Sequence, residues 1–288
     1  MMQRIARAAV CGFLFAGACA FAQVGADYLD MTRVQVRGDK TKEFEDAIKK
    51  MAEVNRKYKG DRWVALSTEY GEFGGYSFSS TRENMAAVEA GMGAFRNALK
   101  EGLGPLGDKL MRDLSAFSAS GHSEIRHRRW DLSVNSPTSR EDLLKTIAQT
   151  RWIRTLTLDM KPGRNLEYVE AWKPFAAELQ KVSPAAPVFL SEATTGSPAL
   201  FVAIYYKSWA EMDAMAPGVQ KAVESGAYQH LMKTTQDTVA ASKWEILRIR
   251  PELSCPPDEV IQADPAFWKP KPTPAAAPKP KTDAPEKK

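Results

Sequence analysis

Ser123-Glu-Ile-Arg-His-Arg-Arg-Trp-Asp-Leu-Ser133 lies without a gap on Trp244-Glu-Ile-Leu-Arg-Ile-Arg-Pro-Glu-Leu-Ser254. Glu124 coincides with Glu245, Ile125 with Ile246, Arg129 with Arg250, Leu132 with Leu253 and Ser133 with Ser254, and Asp131 meets Glu252. Each stretch reads as a strand that closes a structural unit. A closing segment written twice at this separation is the mark of a unit that occurs twice, and the rest of the chain can be searched for its other parts.

The preceding elements come in the same order on both sides. Residues 28–36 and 152–158 alternate like half-buried strands. Each meets a glycine turn, at Gly38 or Gly163, and then a helical spacing: Phe44, Ile48, Met51, Val54 and Tyr58 in the first, Tyr168, Trp172, Phe175, Leu179 and Val182 in the second. Pro174 is expected to kink the second helix or to mark a late start. Two strands follow, 62–68 with 75–79 and 188–193 with 200–206. Each second strand runs into a Ser-x-x-Glu capping box, Ser80 with Glu83 and Ser208 with Glu211. Gly71-x-x-Gly74-Gly75 reads as a hairpin loop, and Gly102-x-Gly104-Pro105 as a break in a helical region.

Each unit is therefore β-α-β-β-α-β, the ferredoxin-like motif, and the fold class is α+β. An antiparallel sheet of this kind buries one face under its own helices, and the other would be a large apolar patch unless something covered it. Two sheets in one chain can cover each other. The expectation is thus two tandem ferredoxin-like units, 27–135 and 151–255, packed sheet to sheet as an intrachain pseudo-dimeric α/β barrel. Residues 136–150, with Pro137 and a helix from Ser139, form the connector.

Leu156-Thr-Leu-Asp-Met-Lys-Pro-Gly163, followed by Glu167-Tyr168-Val169, and Ser225-Gly-Ala-Tyr228 are strand, turn and helix wordings of a known kind. With them, residues 27–255 resemble the dimeric α/β-barrel superfamily, the group that holds antibiotic-biosynthesis-monooxygenase-like and NIPSNAP-like domains, here as a tandem pair. The resemblance implies a fold that hosts oxygenases, haem-degrading enzymes, chlorite-dismutase-like haem enzymes and plain binding proteins, and a fold does not choose among them. In haem-degrading members a helix like that after Ser225 carries the iron-binding His. Here the matching position is Met232, and His230 lies on a different helix face. No cofactor is therefore expected, with haem the one the resemblance leaves open. A monomer is consistent with a barrel that is already paired internally.

The two ends of the chain read differently from the repeats. Arg4 and Arg7 precede an apolar run at 8–18, too short to span a bilayer, which ends at Ala20-Phe21-Ala22. Residues 1–22 thus read as a secretory signal cut before Gln23, which implies a periplasmic or secreted protein. The rival reading makes Cys19 a lipid-attachment site. Cys11 and Cys19 would leave with the signal, and Cys255 alone cannot form an intrachain disulfide. From Pro256 to the end the chain holds nine of its eighteen prolines, with six lysines against five acids. Residues 256–288 are expected to be a disordered Pro/Lys/Ala-rich tail, with Phe267-Trp268 able to dock on the body. The formal charge of +5 owes much to these ends, so it does not argue for nucleic acid.

No chemical motif stands out. A Walker-type Gly-Lys-Ser/Thr loop and H-E-x-x-H are both absent, and His122, His127, His230 and Cys255 do not form a metal-ligand cluster. Trp63, Tyr70, Tyr76 and Tyr205 could stack on a planar ligand, although strand aromatics usually belong to the core. If the apolar residues of the first strands face the helices, Arg33, Gln35, Thr155 and Thr157 line the space between the sheets. A period of two sets His127 and Arg129 on one face, with Arg248 and Arg250 at the matching positions. The candidate ligand-binding residues are therefore Arg33, His127, Arg129, Thr157, Arg248 and Arg250, for a small anionic or oxygen-rich ligand. Read as charged edges instead, the closing strands would leave their arginines solvated. The functional expectation is an exported envelope protein that binds a small molecule in a cleft between the repeats. The alternative is a cofactor-free or haem-linked small-molecule monooxygenase.

Overall fold

A computed structural model describes residues 24–269; residues 1–23 and 270–288, and with them the secretory signal and most of the Pro/Lys tail, lie outside the described residues. The first half runs β1 (Tyr28–Val36), α1 (Thr41–Lys57), β2 (Val64–Tyr70), β3 (Gly75–Arg82), α2 (Met85–Leu103), α3 (Pro105–Phe117) and β4 (Ser118–Arg128). Helix α4 (Arg140–Gln149), capped by the Ser139 hydroxyl, leads into the second half. That half runs β5 (Trp152–Met160), α5 (Asn165–Leu179), β6 (Val188–Ala193), β7 (Ala199–Tyr206), α6 (Trp209–Val223), α7 (Gly226–Thr238) and β8 (Val239–Ile249). Two short helices follow, α8 (Asp258–Ala263) and α9 (Pro265–Trp268).

The helices form where the apolar spacing demands. In α1, Phe44, Ile48 and Met51 are buried on one face, and in α5 Tyr168, Trp172 and Phe175 are, with Pro174 accommodated inside the helix. Gly104 takes a positive φ of 53° that side chains disfavour, and Pro105 starts α3 immediately after it. The capping boxes divide. Ser208 caps α6 by accepting from the Glu211 N–H at 3.1 Å. Ser80 does not cap: it lies inside β3 and donates to the Arg62 carbonyl, and Asn84 caps α2. The strand continues to Arg82 because that residue pairs with Tyr28 of β1.

All strand pairs are antiparallel, and the order β1-β3-β2-β8-β5-β7-β6-β4 closes on itself. Each half contributes a four-stranded ferredoxin-like sheet. The sheets do more than face each other: they are hydrogen-bonded at two seams, β2 to β8 (Leu66 opposite Ile249) and β4 to β6 (Arg128 opposite Ser191). Closure removes the free strand edges that open sheets must otherwise protect.

The matched segments turn out to be a reciprocal latch. After β4 and β8 each chain stretch makes one tight turn, Trp130–Leu132 and Pro251–Leu253, and docks on the opposite half. Trp172 of the second half donates to the Leu132 carbonyl at 2.8 Å, and Trp63 of the first donates to that of Leu253 at 2.9 Å. Ser133 accepts from Leu190 N–H and Ser254 from Ala65 N–H, while each serine donates back to the carbonyl of Arg129 or Arg250. The repeated Leu and Ser are therefore fixed by contacts between halves.

The tail expectation needs a correction. Residues 258–268 fold, with Val260 and Trp268 fully buried against Leu143, Leu144, Ile147 and Ala148 of α4. The apolar Val260, Ile261, Phe267 and Trp268 carry enough burial to order a segment whose prolines suggested otherwise. With α4, this segment plugs one end of the barrel, over Leu66, Ile153, Phe189, Leu247 and Ile249.

Candidate functional site

The barrel interior opens at the end opposite the plug. Its mouth is a cavity of about 610 Å³ whose walls include Arg33, Glu124, Thr157, Asp159, Lys243 and Glu245. Arg33 and Thr157 thus stand where the alternation of β1 and β5 put them. Arg33 donates to Glu245 Oε2 at 2.5 Å, and Lys243 Nζ lies 3.3 Å from Oε1. Burial pushes the Glu245 carboxyl up, but the Arg33 and Lys243 charges more than offset it and hold it below its ordinary value of 4.5. A depressed folded value means stabilisation that is complete above pH 4.5 and is lost as pH falls through the lower folded value. Thermal melts of wild type and Glu245→Gln across acid pH should therefore converge as the pH drops; curves that stay parallel would show that Glu245 carries no part of the acid sensitivity.

The other four predicted residues point elsewhere. His127 is on the outer face of β4, half-buried, with its ring 5.2 Å from that of Tyr28. Arg248 is exposed on the outer face of β8. Arg129 and Arg250 lie beyond the strand ends, where a period of two no longer holds. Arg129 pairs with Asp131 and, across the seam, with Glu192; Arg250 pairs with Glu252 and with Glu45 of α1. They are equivalent, but as members of the latch. The lumen side of the closing strands carries Glu124, Arg126 and Arg128, and on β8 Glu245, Leu247 and Ile249. In Glu-Ile-Arg-His-Arg only Ile125 anchors the alternation, and it belongs to the outer face, opposite Asp30 of β1. The guanidinium planes face inward because aromatic rings receive them there: Arg126 lies 3.4 Å over Phe201, and Arg128 5.3 Å from Trp130.

A second cavity, about 590 Å³, lies outside the barrel between the first sheet and its helices. Phe44, Trp63, Phe78 and Phe95 give it aromatic walls, and Asp30, Thr32, Asp61 and Ser80 supply polar atoms. Trp63 and Phe95 meet edge to face at 6.0 Å. Arg82 orients both carboxylates, donating to Asp61 at 2.6 Å and to Asp30 at 3.0 Å. Burial opposes the Arg82 charge, and the two aspartates more than offset it. Gly91 lets the guanidinium lie against α2, since a Cβ there would fall 2.6 Å from it.

The matching positions in the second half carry larger apolar side chains. Strands β1 and β5 are equally long, as are β3 and β7, so their helix-facing positions match directly. Thr32 stands opposite Leu156 in that comparison, and Ser80 opposite Ile204; Leu156 and Ile204 pack into a core with Tyr168, Trp172 and Phe175. Reading the repeats position by position would have revealed this difference in the sequence.

The residues present do not suit haem. His230 and Met232 are exposed on α7, and His127 is on the outer face. His122 is exposed at the barrel mouth, whose walls carry Arg33, Glu124, Asp159, Lys243 and Glu245. No histidine lines the sheet–helix cavity. Among the described residues there is no group of three or more His, Cys, Asp or Glu placed to hold a metal ion.

No protein-family model matches the chain, and no curated protein matches its sequence. Among solved structures it is similar to an anthrone oxidase-like protein, with a TM-score of 0.53 and 9% identity over 80% of this chain and 93% of that one. It is likewise similar to a candidate chlorite dismutase, with a TM-score of 0.50 and 10% identity over 82% and 98%. A candidate monooxygenase from Lactobacillus acidophilus covers 78% of this chain and 94% of its own at 10% identity, with a TM-score of 0.46. At these identities the likeness is one of fold. The chain has the dimeric α/β-barrel fold, with both sheets supplied by one polypeptide.

Proposed function

We propose that the protein binds a small, flat, largely apolar molecule with a few oxygen or nitrogen atoms, in the cavity between the first sheet and its helices, and that it does so outside the cytoplasm after loss of residues 1–22. The observation that carries this reading is the inequality of the halves. At matching positions the second sheet–helix layer carries Leu156 and Ile204, while the first bears Thr32 and Ser80 on a cavity of about 590 Å³. An apolar pocket with a few convergent polar groups is the general form of a small-molecule site.

The test is to close the cavity with the residues of the other half. Thr32→Leu with Ser80→Ile should abolish binding of hydroxylated aromatic probes, followed by Trp63 fluorescence, at a stability cost of no more than about 1–3 kcal/mol, because Ser80→Ile takes the donor from the Arg62 carbonyl. A double variant that binds as the wild type does would sink the assignment. N-terminal sequencing of the exported protein should read Gln23, whereas a lipidated Cys19 would overturn that cleavage.

A second reading is oxygenation of the occupant, in line with the anthrone oxidase-like fold neighbour. Molecular oxygen would turn a ring CH2 into C=O, with the second oxygen atom leaving as water. Asp30 and Asp61 are the carboxylates that could take the first proton, but both are already engaged by Arg82. Binding without turnover is therefore preferred, and oxygen uptake with an anthrone would reverse the preference.

A further inference from the structure

Deep in the barrel, between the charged mouth and the plug, lies a compartment of about 80 Å³. Its walls are mainly apolar, with Met31, Leu66, Phe189, Phe201 and Leu247 among them, yet Arg126 and Arg128 both enter it from β4. Arg126 has a partner, since its guanidinium is hydrogen-bonded to Glu124 two residues back. Arg128 does not. It is 3% exposed, and among the described residues it makes no ion pair. Its one side-chain hydrogen bond there goes from Nη1 to the Ala26 carbonyl at 3.3 Å, and its buried Nε has no partner. Tyr205, which lines the same compartment, adds a hydroxyl on the β7 side.

A buried guanidinium without an anion is costly, because its five N–H donors and its charge have left water for little in return. Stacking near Trp130 and Phe189, at 5.3 and 5.7 Å, recovers part of that cost and leaves the donors unused. We propose that the compartment is a binding site for a small monocarboxylate with an apolar body, its carboxylate held by Arg128 and assisted by Tyr205. The planar fork of arginine matches a carboxylate with two parallel bonds. Arg126 with Glu124 is neutral as a pair, so the excess is the one charge of Arg128, which suits a monoanion better than phosphate or sulfate. The apolar walls suit a short aliphatic chain, and a volume of about 80 Å³ limits it to a few carbons. Access is from the mouth, which shares Phe201 with the compartment. This site is separate from the sheet–helix cavity, and either can fail without the other.

The test uses residues 23–288, unfolded and refolded to strip any resident molecule, and titrates acetate, propionate, phosphate and sulfate by calorimetry and thermal melt. Acetate or propionate should bind saturably and raise the melting temperature; phosphate and sulfate should not. Arg128→Met, which keeps the apolar stem, should melt no lower than the unliganded wild type and lose the carboxylate affinity by about tenfold or more. Should that variant fail to fold, Arg128→Lys keeps the charge without the fork and should weaken binding in the same direction. Arg248→Met, on the outer face, should bind normally. The proposal is overturned if neither carboxylate binds the wild type, if the Arg128 variants that fold bind unchanged, or if phosphate and sulfate bind as well as propionate.

Discussion

Expressed apart, residues 24–135 and 136–269 should each aggregate and show no cooperative melt, while the two pieces refolded together should recover a single transition. The cause is the shared sheet. Cutting between β4 and α4 strips β2 and β4 of their partners β8 and β6, leaving open edges on both pieces. It also exposes the lumen faces, with Leu29, Met31 and Leu66 on one piece and Phe189, Phe201 and Leu247 on the other. The latch is lost in the same act, since Leu253 and Ser254 belong to one piece and their partners Trp63 and Ala65 to the other. Gel filtration and denaturant unfolding decide the matter. Two monomeric, soluble pieces with sigmoidal unfolding would mean that the barrel is not one cooperative unit.

Replacing Trp268 with alanine should cost about 3–5 kcal/mol, the usual range for a buried aromatic truncated in a core. Trp268 is 2% exposed and donates from Nε1 to the Ala148 carbonyl at 2.9 Å, so the change empties a space and leaves a buried acceptor. Neighbouring contacts hold the same segment: Arg151 pairs with Asp264 and lies 3.7 Å over the Phe267 ring. Trp268→Phe should cost less, because a ring remains to fill the space. Urea unfolding reads both values. A loss below about 0.5 kcal/mol for Trp268→Ala would match a solvated surface position and contradict the plug.

The fold was legible because period and order are local properties. Matched ends at Ser133 and Ser254, the helical spacing of Phe44, Ile48 and Met51, and the alternation in β1 and β5 each depend on neighbours a few residues away. Together they require two β-α-β-β-α-β units, and the exposed sheet faces then require that the units meet. Arg33 and Thr157 followed from the same alternation. The difference between the two sheet–helix spaces was also written in the chain, as Thr32 against Leu156 and Ser80 against Ile204, and needed only a comparison of the two copies.

What the tertiary structure alone decided concerns residues whose local pattern is weak. Glu124-Ile-Arg-His-Arg128 holds one apolar residue among four polar ones, so nothing local says which face looks inward. Pairing with β1 and the rings of Phe201, Trp130 and Phe189 chose Arg126 and Arg128. Arg129 and Arg250 look like strand residues until the turn after each strand carries them to acids of the opposite half. Phe267 and Trp268 stood out in the sequence as able to dock, and they do, but the folding of 258–268 around them was hidden, because proline content is visible in a sequence and the groove that receives Trp268 is not. Faces, partners and grooves are made by residues far apart in the chain, and they exist only once the barrel has closed.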